Sequence, residues 1–225
     1  MKKITTALIL FAALLFTASV HAVLIDFEGL SAGDVVTGST IDGATFTVTD
    51  QGTTSGNPRE LMIFQSNCFE IGMPQCTGGD SDLSTIDVPG TVTPITAGNV
   101  LIISQDNDDT DPNDSAAGGV IITTFDTDVT AVEIVTIDVG DSDTGPNTFE
   151  AYYQGMLQDS VNLMLNLGEN NIQTASLTGL FDEIRLDLAG SGALASIEFT
   201  PVPIPAALPL FMAGLVGLFG LRKKA

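Results

Sequence analysis

The stretch from 105 to 115 holds the densest group of side chains that could bind a cation. It reads QDNDDTDPNDS and places five carboxylates within nine positions. Calcium takes about six to eight oxygen ligands from carboxylates, carbonyls and water, and a bound cation would offset the repulsion among these acids. The stretch is therefore a candidate calcium site, weighed against the favoured structural interpretation, a solvated acidic turn between two strands. The candidate ligands are Asp106, Asp108, Asp109, Asp111 and Asp114.

The spacing of these acids differs from that of an EF-hand loop. Counted from Asp106, the sixth position is Asp111 where that loop has glycine, and the twelfth is Ala117 where it has glutamate. The stretch DVGDSDTG, residues 138–145, is a second and weaker candidate. Its acids are Asp138, Asp141 and Asp143.

Residue types that most enzymes need are missing from the central part of the chain. Residues 23–200 contain no histidine and no lysine, which excludes Ser-His-Asp and Cys-His nucleophiles, histidine-bound metals, Schiff bases and P-loops. A carboxylate pair for glycoside hydrolysis remains formally open, but among 28 acids some pair will be close by chance. We therefore expect no catalysis, with a glycoside hydrolase as the remote alternative.

The charge distribution restricts the partners. All 28 acidic residues lie within residues 23–200, and the only basic residues there are Arg59 and Arg185. The formal charge of this part of the chain is therefore 2 − 28 = −26. Such a domain would repel nucleic acid and anionic membrane surfaces, so nucleic acid is excluded as a partner. Cations are the natural counterparts, whereas solubility of an exported protein is the simpler explanation of the charge.

The first 22 residues predict a secretory signal peptide. They read MKKITTALILFAALLFTASVHA, with a basic start, an apolar run from Ala7 to Leu15 and a small-residue cleavage site ending at Ala22. We expect a signal helix, export by the Sec machinery and cleavage after Ala22. A retained N-terminal anchor is the alternative.

Residues 201–225 predict a membrane-sorting segment. Prolines at 201, 203 and 205 favour an extended spacer, because proline disfavours helix in the residue before it. The apolar run from Ala206 to Leu221 predicts a transmembrane helix of roughly 24 Å at about 1.5 Å per residue. The basic end, Arg222, Lys223 and Lys224, would reach the interface and stay cytoplasmic.

The residues between these segments predict an all-β fold. Short stretches rich in β-branched residues alternate with turn residues. Within 23–200 we find no helix of ten or more residues with a period of 3.6. Residues 156–165 have roughly helical spacing, but their flanks favour a hairpin. We expect one antiparallel β-sandwich over 23–200, of jelly-roll type, with 50–60 and 65–98 as loops. The predicted strands are 23–27, 44–49, 61–64, 99–104, 118–125, 131–139, 147–153, 156–165, 171–177, 182–188 and 193–199.

Cysteines and aromatic residues give two further expectations. Cys68 and Cys76 are the only cysteines and bracket seven residues, which in an exported protein predicts a disulfide worth roughly 2–3 kcal/mol; a free thiol or a metal ligand is the weaker reading. Sugar-binding platforms use exposed aromatic rings, but Tyr152 and Tyr153 should point to opposite faces of one strand. The phenylalanines are expected in the core.

The C-terminal residues resemble a PEP-CTERM sorting signal. Val202, Pro203, Pro205 and Ala206 match the variant usually written VPLPA, with Ile204 in place of its leucine, before the apolar run and the basic end. The resemblance covers about the last 25 residues and implies a Gram-negative bacterium and cleavage near the motif by an exosortase. It further implies a surface or matrix protein, first anchored in the inner membrane, of bacteria that make exopolysaccharide and biofilm.

The body of the chain is similar to a jelly-roll pattern often attached to such signals. The similarity lies in LIDFEGLSAGDVV and IDGATFTV near the start and in GSGALASIEF at the end. That pattern usually closes with an acidic residue where this chain has Ala195, so a calcium site at Asp26 or Glu28 would lack a ligand.

Together these features predict an exported, exosortase-processed surface or matrix protein with a non-catalytic acidic β-sandwich. Stabilisation of the sandwich by calcium and association with exopolysaccharide or biofilm are two further hypotheses. A carbohydrate-binding, lectin-like jelly roll is the alternative.

Overall fold

The computed structural model describes residues 21–49, 58–66, 83, 98–140, 145–168 and 171–203. These residues form ten β-strands and no helix, and all the strand pairs are antiparallel. The described residues from Ala22 to Pro201 form one compact unit. The strands are β1 Val23–Ile25, β2 Thr40–Ile41, β3 Ala44–Thr49, β4 Leu61–Gln65, β5 Asn99–Ile103, β6 Gly119–Ile137, β7 Thr148–Tyr153, β8 Met156–Asn162, β9 Ile172–Leu188 and β10 Ala193–Pro201.

Several predictions fall outside the described residues. These are the signal helix, the cysteine pair Cys68 and Cys76, most of the sorting motif, the apolar run and the basic end. Within the part of the chain that the structure describes, no helix has the length and apolar character needed to cross a membrane.

The predicted strands are confirmed in position. In two places, however, two consecutive predicted strands form one long strand. The stretches 118–125 and 131–139 form the single strand β6 of 19 residues, and 171–177 with 182–188 form β9 of 17 residues. The stretch 156–165 gives strand β8 rather than a helix. The two-residue strand β2 has no counterpart among the predictions, because it is too short to show a period.

The long strands β6 and β9 pair with each other and bend together. Their register shifts between Thr124 and Val129 and again between Val129 and Ala131, and such bulges bend a strand. Gly179 lies at this bend with a φ of +157°, and a Cβ there would press on the ring of Phe181. The polar residues that look like turns in the sequence therefore mark bends within continuous strands.

This bend divides the strands into a front group and a back group. The front group contains β2, β3, residues 119–125 of β6, residues 182–188 of β9, β7 and β8. The back group contains residues 129–137 of β6, residues 172–178 of β9, β10, β5, β4 and β1. Both groups are antiparallel, as expected of a β-sandwich.

One hydrophobic cluster receives side chains from both groups. Ile184 and Leu186 enter it from the front group, and Ile134 and Ile197 enter it from the back group. The alternation predicted for 182–188 is confirmed, because its apolar side chains face this cluster. All seven phenylalanines among the described residues are buried, as expected: Phe27, Phe46, Phe64, Phe125, Phe149, Phe181 and Phe199.

Strands β4 and β5 are apolar on both faces. Alternate residues of each strand, such as Ile63 and Leu101, join the main cluster, while Phe64 and Ile102 join a second cluster with Leu83. Burial on both faces explains why these two strands read as continuous apolar runs rather than alternating ones.

Candidate functional site

The predicted calcium ligands do not all point to one place. Asp106, Asp108, Asp109 and Asp111 are exposed, whereas Asp114 is buried. Among the described residues, no three acidic, cysteine or histidine side chains converge as a preformed metal site. The four exposed acids instead follow one another along a surface loop, which we call the acidic loop (residues 105–115).

Short-range hydrogen bonds give the acidic loop its shape. Oδ1 of Asp106 accepts the backbone N–H of Asp108 at 3.2 Å. Oδ1 of Asp108 accepts the hydroxyl of Thr110 at 2.6 Å and its N–H at 3.0 Å. Such Asx turns are a common use of aspartate in loops. The hydroxyl bond, followed by the backbone bond, lowers the pKa of the Asp108 carboxyl.

Asn107 fastens the acidic loop to the residues before β4. Its backbone is left-handed, with a φ of +62°, which asparagine tolerates better than most residues. Its side-chain oxygen accepts the N–H of Glu60 at 2.9 Å, and its amide donates to the carbonyl of Pro58 at 2.9 Å. Its own N–H donates to the hydroxyl of Ser104 at 2.9 Å.

Arg59 holds the far end of the same loop. The side chain is buried, and Nη1 donates to the hydroxyl of Ser115 and to the carbonyl of Gly118, the latter at 3.2 Å. One of the two arginines of residues 23–200 is therefore used inside the fold. A buried guanidinium needs such acceptors, since desolvation without them is costly.

The loop after β1 touches the acidic loop at a glycine. Gly33 has a φ of +87°, and a Cβ there would overlap the carbonyl oxygen of Asp109. Glycine is the residue that permits this approach. The acidic loop is thus fixed by contacts at both ends and in its middle.

Asp114 and Asp138, one acid from each predicted candidate, meet at Ser191. Oδ2 of Asp114 accepts the Ser191 hydroxyl and the N–H of Gly192, both at 2.7 Å. The same hydroxyl lies 3.3 Å from Oδ2 of Asp138, which is fully buried. Two buried carboxyl groups therefore share one hydroxyl in the turn between β9 and β10. The remaining acids of the second candidate, Asp141 and Asp143, lie outside the described residues.

Asp26 and Glu28 serve the local fold. Oδ1 of Asp26 accepts the N–H of Glu28 at 3.2 Å, and Oε1 of Glu28 accepts the N–H of Asn99 at 3.0 Å, at the start of β5. Ala195 is buried in the second cluster beside a register shift of β10. The hydrogen bond between Asn99 and Glu28 ties the turn after β1 to the first residue of β5.

The outer face of the front group carries a second arrangement of polar side chains. The guanidinium carbon of Arg185 lies 4.2 Å from the centre of the Tyr152 ring, within the range of a cation–π contact. Nε and Nη2 of Arg185 both lie 2.7 Å from Oε1 of Glu183. The hydroxyl of Tyr152 donates to Oε2 of Glu150 at 2.6 Å. We call this set, with the neighbouring Asp187, the Tyr152–Arg185 platform.

The two tyrosines have different surroundings. Tyr152 belongs to the platform, whereas the hydroxyl of Tyr153 lies 3.4 Å from Oδ2 of Asp128 near the bend of β6. The platform therefore has one aromatic ring. Sequence reasoning missed it because Tyr152 and Arg185 lie on different strands, β7 and β9, and their contact depends on strand register.

The pKa values of the platform reflect its crowded charges. The hydrogen bond to Glu150 raises the pKa of Tyr152, and the bond to Glu183 raises the pKa of Arg185. Partial burial, followed by the charge of Glu150, raises the pKa of Asp187. Burial is thus the main cause of the last shift, and the nearby negative charge of Glu150 adds to it.

Comparisons with known proteins add little to this picture. No protein-family model and no curated protein matches the chain. Among solved structures, it is similar to CpGH89CBM32-6 produced by Clostridium perfringens, at 12% identity and a TM-score of 0.30 over 72% of this chain and 96% of that chain. It is also similar to a cyclase from Fischerella sp. TAU, at 14% identity and a TM-score of 0.37 over 81% and 98%. At these scores neither likeness carries an argument about function.

The buried acid should matter more for stability than the exposed ones. Asp114→Ala leaves the buried Gly192 N–H without its acceptor and removes the nearer of the two carboxylates that accept the Ser191 hydroxyl. We expect a loss of about 1–3 kcal/mol in the free energy of unfolding. The matched change Asp109→Ala, at an exposed position of the same loop, should leave the urea midpoint unchanged. Equal midpoints for the two variants would contradict the assigned role of Asp114.

Asp187 should make stability depend on pH. Its folded pKa lies above the ordinary value, so its contribution is most favourable when protonated and is lost as pH rises through the folded pKa. Asp187→Asn should therefore stabilise the domain at neutral pH, and the gain should shrink as the solution is acidified below the ordinary aspartate pKa. Urea midpoints across pH measure this, with Glu198→Gln on the back group as the control for removing one charge. A gain that grows on acidification would refute the assignment.

Proposed function

We propose that this chain is an exported, non-catalytic surface or matrix protein whose domain is a jelly-roll-like β-sandwich. An exosortase processes it near residues 202–206, and the released domain associates with exopolysaccharide. The observation that carries this proposal is an antiparallel β-domain with 28 acids and two arginines, both engaged within the fold, followed by the VPIPA motif. A domain with this charge is suited to bind cations and cationic polymers and unsuited to nucleic acid.

The end of the last strand supports processing at the motif. Strand β10 ends at Pro201, which pairs with Val129 after a register shift. Proline has no N–H to continue a ladder, so Val202 and Pro203 lie outside the sheet. A processing enzyme needs extended backbone that is not paired in a sheet, and the motif begins where such pairing stops.

Changing the motif should block processing. In a host with an exosortase, the double variant Pro203→Ala with Pro205→Ala should accumulate in the membrane fraction at its unprocessed mass, while Pro201→Ala is processed normally. Fractionation and intact-mass spectrometry measure both. Release of the double variant at the same rate as the unchanged chain, or peptides from residues 207–225 in the released protein, would rule the processing step out.

Calcium forms the second part of the proposal, through the acidic loop. The loop is held by Asn107 and Arg59 and carries four exposed carboxylates on six residues, Asp106 to Asp111. Because these acids do not converge in the described structure, binding requires them to reorient. We therefore expect affinity like that of extracellular modules, about 10⁻⁴–10⁻³ M.

Calcium should therefore raise the melting temperature. With a dissociation constant near 1 mM, about 10 mM Ca²⁺ stabilises by roughly 1.4 kcal/mol, which corresponds to roughly 3–6 °C for a domain of this size. Asp106→Asn with Asp108→Asn should abolish the rise. Asp42→Asn with Asp159→Asn removes the same charge from an exposed turn and from an exposed position of β8, and should preserve the rise. A rise that survives the loop variant would place calcium at another site.

Carbohydrate binding is the second candidate function, favoured by the Tyr152–Arg185 platform. Its aromatic ring and planar guanidinium lie on an outer sheet face, and tyrosine offers both an apolar surface and a hydroxyl to a sugar. The platform also carries carboxylates that can accept hydrogen bonds from sugar hydroxyls.

A further inference from the structure

The Tyr152–Arg185 platform is rigidly held. The Tyr152 hydroxyl donates to Glu150, the guanidinium of Arg185 packs against its ring, and that guanidinium is bound by Glu183. Tyr152 and Arg185 are therefore each positioned by other members of the set. A preorganised surface loses less entropy when a ligand binds than a set of mobile side chains does.

The charge of the platform selects the kind of ligand. The platform contains one guanidinium, on Arg185, and three carboxylates, on Glu150, Glu183 and Asp187. Its formal charge is therefore −2. Partial burial and then the charge of Glu150 raise the pKa of Asp187, and the second of these is expected where negative groups are close together. A uronate or sulfated polymer would meet repulsion, whereas a ligand with ammonium groups would meet attraction.

Hydroxyl-bearing residues border the same face. Thr148 pairs with Asp187, Ser160 pairs with Glu150, and Thr124 pairs with Glu183. Directly paired residues of antiparallel strands share a face, so these hydroxyls lie beside the carboxylates. A ligand that carries both hydroxyl and ammonium groups would find complementary groups on the platform.

We infer that the Tyr152–Arg185 platform binds a polysaccharide whose sugars carry free amino groups, such as a de-N-acetylated hexosamine polymer. A sugar ring lies along the stacked tyrosine and guanidinium, and its ammonium group meets Glu150 and Asp187. The inference rests on the proposed association with polysaccharide and specifies its class. It also accounts for an excess of acids on a face that otherwise resembles a sugar-binding surface.

The test uses the full chain in detergent and three probes of equal length: a glucosamine hexamer, an N-acetylglucosamine hexamer and a galacturonate hexamer. Titration calorimetry at about pH 6 and about 50 mM salt keeps the attraction measurable, because screening is moderate there. We expect the glucosamine hexamer to bind about tenfold or more tightly than either of the others. This comparison needs no variant and so does not depend on how a variant folds.

Matched variants separate the platform from the overall charge. Glu150→Gln with Asp187→Asn should weaken binding of the glucosamine hexamer about tenfold or more. Glu133→Gln with Glu198→Gln removes the same charge from two directly paired residues of the back group and should change affinity less than about twofold. Equal weakening by both pairs would mean attraction to the whole acidic surface and would overturn the inference.

The remaining outcomes distinguish this inference from the proposed function. Tighter binding of the acetylated or the galacturonate hexamer overturns the amino-sugar assignment and leaves carbohydrate binding standing. Binding of none of the three overturns the inference as well. Processing at residues 202–206 is measured separately, so its failure would instead remove the surface-protein proposal.

Discussion

The hydrogen-bonded pairing of β6 with β9 is the interaction on which both groups of strands depend. The two strands run side by side from Gly119 with Leu188 to Ile137 with Ile172. Because their bulges coincide, the two strands bend together. They remain paired with each other as they pass from the front group into the back group. Every other strand attaches to this pair directly or through one or two intermediate strands, and one core fills the space inside the bend. A core shared in this way makes folding of either group alone unfavourable, since each would leave an apolar face in water.

The excess of carboxylates over basic side chains is the second constraint on the fold. Nearby hydrogen-bond donors satisfy several of these carboxylates. With two arginines among residues 23–200, most carboxylates have no cation to pair with. Several accept backbone N–H or hydroxyl groups instead, as Asp26, Glu28 and Asp108 do. Hydrogen bonds to an ionised acceptor are stronger than neutral ones. These bonds order the turns at the surface without any need for a counter-charge.

The elements were predictable because their signals are local. Alternation in 44–49 and 182–188 identifies each strand and the face that enters the core, with no knowledge of its neighbours. The junction at residues 126–130 was not predictable in the same way. Its aspartates and threonines are equally typical of a turn and of the exposed part of a bending strand. Only the register with β9 distinguishes the two cases.

The candidate sites were predictable in composition and not in geometry. Density of aspartate identifies the acidic loop, but nothing local to the loop indicates that Asp114 turns inward. Its partner Ser191 is 77 residues away and has no distinctive signal in a Gly-Ser-Gly turn. The contact between Tyr152 and Arg185 likewise depends on which residue of β9 faces which residue of β7. Spacing within one segment cannot supply that information.

The only two arginines of residues 23–200 have different structural roles. Arg59 is buried and donates to the end of the acidic loop, where a flexible, strongly hydrated lysine would fit less well than a planar guanidinium. Arg185 lies on an outer face and stacks on an aromatic ring, which again uses its planar shape. Neither role neutralises more than a small part of the acidic surface. The domain therefore keeps a strongly negative exterior, and any partner that binds it closely must bring positive charge of its own.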